Sequence, residues 1–227
     1  MSDRLIEILV TSFPRIFTQG LLVTIPLTIL SFSLAMVIAV ACAMVQIANV
    51  RGVKQLVRFY IWIIRGTPLL VQLYLVYFGL PDLGVTLPAF PCAVMVFALN
   101  EGAYCAETMR AAIESVPKGQ MEAGYCVGMS YPQIMRRIVL PQAFRTAFPP
   151  LSNSLISMVK DTSLAANITV MEMFMATQRV AGRTYEHLAL YAEVALIYLL
   201  FCTVFTGLQR LGEKKLSRMN GGDTIHA

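Results

Sequence analysis

The chain has 227 residues, 57% hydrophobic and 14% charged, with a formal net charge of +5 and a mean hydropathy of +0.66. That composition excludes an ordinary soluble domain and places most of the chain in lipid, as an integral membrane protein. The positive charge does not point to nucleic acid, because a basic patch of that kind comes with a soluble fold and one clustered Lys/Arg face.

Taken in order, residues 1–20 read as an extracytoplasmic N-terminal segment. Leu5, Ile6, Leu9, Val10 and Phe13 form an apolar stripe suited to a helix on the membrane surface. The first 17 residues lack the basic leader abutting an apolar core that marks a cleaved signal peptide. A helix needs about 20 apolar residues to cross the hydrocarbon core. The transmembrane domain is assigned to residues 21–208, and Leu21 to Val45 is its first span.

Phe59 to Leu80 is the second span and contains Arg65, about six residues, or ~9 Å, from its cytoplasmic end. Arg65 either snorkels to the interface or faces a solute path. Pro68 removes the hydrogen bond to the Ile64 carbonyl, which predicts a kink or a wet cavity beside Arg65. Leu87 to Ala106 is the third span, with Asn100, Glu101 and Tyr104 in its inner half. Asn100 and Tyr104 share a face at i, i+4 spacing and are candidates for lining a path. Glu101 either joins them or pairs internally with Lys160 or Arg65.

A charged loop follows at about 115–141. Ser115 before Pro117 reads as a helix start and Gly128 as its stop. Ser130, Pro132 and Gln133 have the spacing of a capping box that opens a second helix. The short first helix carries Glu122, which offers a carboxylate to a partner, and small Ala123 and Gly124, which let another surface approach.

The fourth crossing is less regular. Thr146 to Val159 is too short, so it is expected to continue through Lys160, Asp161, Thr162 and Ser163 to about Val170, carrying a charge pair to membrane depth. A break at Thr162–Ser163 would turn both charges toward water or solute, as irregular backbone lining a cavity does. Leu188 to Leu208 is the fifth span, with Glu193 near its beginning, and 209–227 is a cytoplasmic tail.

Short loops rich in Lys and Arg mark the cytoplasmic side. One set holds Arg51, Lys54, Arg58, Arg110, Lys118, Arg136, Arg137, Arg145, Arg210, Lys214, Lys215 and Arg218, whereas the other holds Arg4, Arg15, Arg179 and Arg183. The amino terminus is therefore read as outside, and the carboxy terminus and the 115–141 loop as cytoplasmic. The cysteines, Cys42, Cys92, Cys105, Cys126 and Cys202, show no CxxC and no neighbouring His, so they are read as packing residues and no metal site is expected.

Glu122-Ala123-Gly124, then Gly128, then Ile138, Leu140 and Pro141 resemble the coupling loop of ATP-binding-cassette importer permeases, with Gly124 where that family usually has Ala. That exchange costs the short helix about 1 kcal/mol of helix propensity. Arg65-Gly66-Thr67-Pro68, Ala103-Tyr104-Cys105-Ala106-Glu107 and Lys160-Asp161-Thr162-Ser163-Leu164 are similar to permeases for polar amino acids. Tyr77-Phe78-Gly79-Leu80-Pro81, Glu107-Thr108-Met109-Arg110 and Pro149-Pro150-Leu151-Ser152-Asn153-Ser154 are most similar to L-cystine permeases. Glu101 departs from the family pattern, which commonly has a small or hydroxyl residue there.

The resemblance implies an all-α membrane protein of five spans with the ABC importer type I (MetI-like) permease fold, in the bacterial inner membrane. It further implies a second permease copy or homologue, a pair of ATPase subunits that carry ATP and Mg, and a periplasmic solute-binding protein. The solute would be L-cystine, or alternatively glutamine, arginine, lysine or histidine. Two other classes fit less well. A self-sufficient secondary transporter usually shows internal repeats, and none is found. An enzyme needs a site, but no phosphate-loop motif occurs and His187 and His226 stand alone.

Overall fold

The computed structural model describes residues 3–48 and 52–218, which form ten α-helices joined by π and 3-10 turns, with no strand among them. Arg51 and residues 219–227, both read above as cytoplasmic, lie outside the described residues. Helix α1 (Asp3–Gln19) passes through a π turn at Gly20–Thr24 into α2 (Ile25–Ala48). Next come α3 (Val53–Gly66), α4 (Leu69–Gly79) and the long α5 (Ala89–Glu114). The loop region holds α6 (Lys118–Cys126) and α7 (Tyr131–Ile134), and α7 runs through a π turn at Met135–Val139 into α8 (Leu140–Asp161). After a 3-10 stretch at Thr162–Ile168, α9 (Met173–Thr184) and α10 (His187–Arg218) complete the chain.

Helix α5 is the hub. Its Ala103 and Ala106 pack with Ala39 and Cys42 of α2 in one buried cluster, small residues that let two helix backbones approach where lipid supplies no hydrophobic drive. Van der Waals contact between close backbones holds the pair together. The other faces of α2 and α10 stay apolar and exposed, with Val37 and Leu196 among the outward side chains, as lipid requires.

Three stretches are long and apolar enough to cross a membrane: Asp3–Ala48, Ala89–Glu114 and His187–Leu216. Phe59–Leu80 is not the straight span that its composition suggests. It is α3 and α4, bent by 103° at Thr67–Pro68. The cause is local: a residue before proline is pushed out of the helical region, and Thr67 sits at φ −122°, ψ 144°. The expected fourth crossing, 146–170, is α8 plus its 3-10 extension. It is not among the stretches selected on length and apolarity alone, since Ser152, Asn153, Ser154, Lys160 and Asp161 dilute it. It packs against α5 and α10 through buried Ala143, Ala147, Leu151 and Val159.

At the far end, Glu172 caps α9, accepting from the backbone N–H of Phe174 at 2.8 Å and Met175 at 2.7 Å. Tyr198 donates to the same carboxylate at 2.8 Å. Glu172 is wholly buried, and burial pushes its carboxyl above the ordinary carboxylate range against the pull of these donors. The sequence signal was a carboxylate directly before a helical stretch, and the reading above passed over it. Cys42, Cys92 and Cys105 are buried as expected, but Cys126 is exposed on α6 and does not serve as core packing.

Candidate functional site

The loop between α5 and α8 is a compact helical corner. Ser115 ends α5 instead of opening the next helix: its hydroxyl donates back to the Ala112 carbonyl at 2.8 Å, and Pro117 is the residue at the start of α6. A serine hydroxyl satisfies a helix-end carbonyl as readily as a helix-start amide, and proline keeps Val116 out of the helix. Gly128 does stop α6. Its φ is +78°, its N–H donates to the Tyr125 carbonyl at 3.0 Å, and the Met129 N–H donates to Gly124 at 3.0 Å. Those paired bonds define a Schellman motif, which needs a left-handed residue at that point and so favours glycine. Two residues on, Gln133 accepts from the Ser130 N–H at 2.8 Å and closes the capping box.

Within α6 the small residues divide. Ala123 and Glu122 face outward, but Gly124 is buried by the protein itself. A Cβ there would lie 2.7 Å from Cγ1 of Ile134 and 3.5 Å from Cδ1 of Ile138. The surface that approaches Gly124 is thus the next helix, not a partner. Ile138 braces α6 from beneath, while Leu140 and Pro141 are exposed. What remains outward is Glu122, Ala123, Tyr125, Cys126, Val127 and Tyr131, with Val127 76% exposed. Together they make an apolar and aromatic patch that includes one carboxylate.

A second feature lies where α2, α3 and α5 meet. A cavity of about 630 Å³ is lined by Gln46, Lys54, Arg58, Arg65, Tyr104, Glu107, Arg110 and Glu114 among others. The Arg65 guanidinium lies over the Tyr104 ring at 5.2 Å and reaches Glu107 at 4.0 Å. Glu107 also accepts from Gln46 at 3.2 Å and from Arg110 at 2.8 Å. It is the centre of the cluster, and the reading above quoted it only within a motif. Its i, i+3 spacing to Arg110 was the available signal.

The other candidates are placed apart from this cavity. Asn100 is buried and donates to Oε1 of Gln72 at 3.0 Å. Nε2 of Gln72 donates to the Ile64 carbonyl at 2.8 Å and to the Thr67 hydroxyl at 2.8 Å. Gln72 thereby fills the backbone position that Pro68 vacates, and Asn100 fixes Gln72. Glu101 is half-buried and accepts from the Cys105 thiol at 3.4 Å, whereas Arg65 goes to Glu107. Asp161 ends α8, half-buried, with exposed Lys160 before it, and the chain tightens at once into the 3-10 stretch. The α-helical part thus ends at Asp161, directly before the break expected at Thr162–Ser163. Thr162 is buried and donates to the Val159 carbonyl at 2.7 Å.

Comparison with known proteins adds a family. The binding-protein-dependent transport system inner membrane component family matches residues 35–218. The L-cystine transport system permease protein TcyB of Bacillus subtilis (strain 168) is 46% identical over 208 residues, covering 91% of this chain and 89% of that protein. A crystal structure of an amino acid ABC transporter with histidines superposes with a TM-score of 0.87 at 32% identity, covering 95% of this chain and all of that one. The inward-facing MetNI methionine ABC transporter shares the fold at a TM-score of 0.68 and 16% identity, covering 95% of this chain and 99% of that one.

Proposed function

Because the chain belongs to the binding-protein-dependent transport system inner membrane components, as an amino acid ABC importer permease subunit in the inner membrane, we propose that its solute is L-cystine. The observation that carries this is the 46% identity to the L-cystine permease TcyB across 91% of the chain. The short α6 corner is assigned the docking role. ATP and Mg are assigned to a separate pair of ATPase subunits, since the chain has no phosphate-loop motif to hold them. A second permease copy or homologue and a solute-binding protein complete the assembly.

In this reading the outward patch of α6 sits on the ATPase, and the Schellman stop and capping box make the corner stiff enough to transmit its movement. Closure of the ATPases tilts the spans between inward-open and outward-open states, which works only if ATP favours one state over the other. The solute path runs along α5. Arg65 and Tyr104 line its inner vestibule and offer a cation and a ring to an amino acid, while Glu101, Lys160 and Asp161 supply charges where α8 breaks. Asn100 acts on the path through Gln72. The site is weak by design, because a conducting site must also let go.

The test is uptake of radiolabelled cystine into vesicles holding the permease, its ATPase and its binding protein. ATP-dependent cystine uptake is the expected result. Import of glutamine, arginine, lysine or histidine, with cystine neither imported nor competing, overturns the substrate and leaves the permease role intact.

A further inference from the structure

Of the four arginines assigned to the side opposite the loops rich in Lys and Arg, three converge in the fold. Arg15, Arg179 and Arg183 line one groove of about 550 Å³ between α1 and α9. Arg15, Thr18 and Gln19 share a face of α1 at i, i+3 and i+4 spacing, and Arg179 and Arg183 lie one turn apart on α9. No carboxylate lines the groove. Among the described residues the ion pairs join Arg65, Arg110, Glu107 and Glu114, so none of these three guanidinium groups is neutralised within the protein. Gathered cations repel one another unless an anion joins them.

The position of the groove says which anion. Arg15 lies six residues before Leu21, where the first long apolar run begins, a rise of ~9 Å along a helix. That is the depth of the polar headgroups, just outside the hydrocarbon. The surroundings are apolar. Val10, one turn before Pro14 of the groove, and Leu22, beyond its other end, are each 68% exposed. Past the end of α9, Tyr185 and Leu188 are 79% and 88% exposed, an aromatic and an aliphatic side chain suited to the membrane interface.

We propose that the α1–α9 groove binds the phosphate of an anionic phospholipid, held by the guanidinium groups of Arg15, Arg179 and Arg183. Guanidinium forks match phosphate oxygens in pairs, and Gln19 adds a neutral donor, while the Thr18 hydroxyl is engaged with the Pro14 carbonyl at 2.6 Å. The acyl chains run along the exposed apolar side chains of α1 and its π turn. No bond is made or broken. The lipid ties α1 to α9 at the end of the molecule opposite the α6 corner.

Native mass spectrometry of the full-length protein in detergent tests this with phosphatidylglycerol and phosphatidylcholine of matched chains, and with inorganic phosphate alone. Phosphatidylglycerol should be retained at least about tenfold better than phosphatidylcholine, since each basic group near a surface adds several-fold. The triple variant Arg15→Gln, Arg179→Gln, Arg183→Gln should lose that preference. Arg179→Gln alone, at an exposed position, should lose part of it and guards against misfolding of the triple variant. Equal retention of the two lipids overturns the proposal, as does an unchanged preference in the variants. It is likewise overturned if inorganic phosphate binds as well as the lipid, or if the variants lose only docking of an acidic binding protein.

Discussion

Single atoms decide two features of this protein. At Gly124 the family's usual Ala adds a Cβ 2.7 Å from Ile134 Cγ1, so the gain in helix propensity of about 1 kcal/mol is opposed by a clash that tilts α6. Gly124→Ala is expected to lower substrate-stimulated ATP hydrolysis without lowering the amount of protein in the membrane. Ile134→Ala in the same chain removes the clashing carbon and should restore part of the rate. Hydrolysis in reconstituted vesicles reads both, and an unaffected single variant refutes the packing argument. At Gln72 the issue is a backbone carbonyl. Gln72→Leu strips partners from Ile64 and Asn100, at about 1–3 kcal/mol for each buried group left unmet. A clear fall in the thermal midpoint should follow, and an unchanged midpoint refutes the bracing role.

Helix grammar in the loop was largely readable from the residues. Gly128 as a stop and Ser130 with Gln133 as a start are local rules, and both hold because their partners lie within four positions. The departures from that reading have two origins. Ser115 bonds backward to Ala112 instead of forward, a choice its own hydroxyl leaves open, whereas Gly124 is covered by Ile134 and Asn100 is tied to Gln72, neighbours that no local rule names. Pro68 announced a kink, and Thr67 before it makes the bend of 103°; the glutamine on α4 and the asparagine on α5 that brace it are what no local rule supplied. At the end of α8, Lys160 and Asp161 stand where the helix yields to 3-10 turns. Lys160→Ala and Asp161→Ala should each reduce solute uptake while ATP hydrolysis stays coupled, and Tyr104→Phe should do less harm because the ring under Arg65 remains. Uptake measured with hydrolysis in the same vesicles separates these outcomes, and full-rate transport by the alanine variants removes the pair from the path.

For the whole molecule the decisive geometry is the length of α5. Asp82 precedes its start and Lys118 follows its end, so a helix of 26 residues separates them by ~39 Å. With Lys and Arg gathered on the Lys118 side, a cysteine at the Asp82 turn should react with an impermeant maleimide added to intact cells, and one at Lys118 should not. Exposed Cys126 must first be replaced by serine, since it sits on the same short helix as Lys118. Reversed labelling would put α6 on the wrong side of the membrane for an ATPase.

Coupling through α6 is the claim on which the rest depends. Its most direct test is co-purification of the ATPase with Glu122→Lys and Gly128→Asp, followed by binding-protein-stimulated ATP hydrolysis in vesicles. The first reverses a charge on the exposed patch, and the second puts a side chain on a residue at φ +78° and opens the Schellman turn. The structure predicts that both variants insert in the membrane, lose the ATPase or its stimulation, and stop importing. Normal ATPase retention with full stimulated hydrolysis in both would show that the corner is only a connection between two spans.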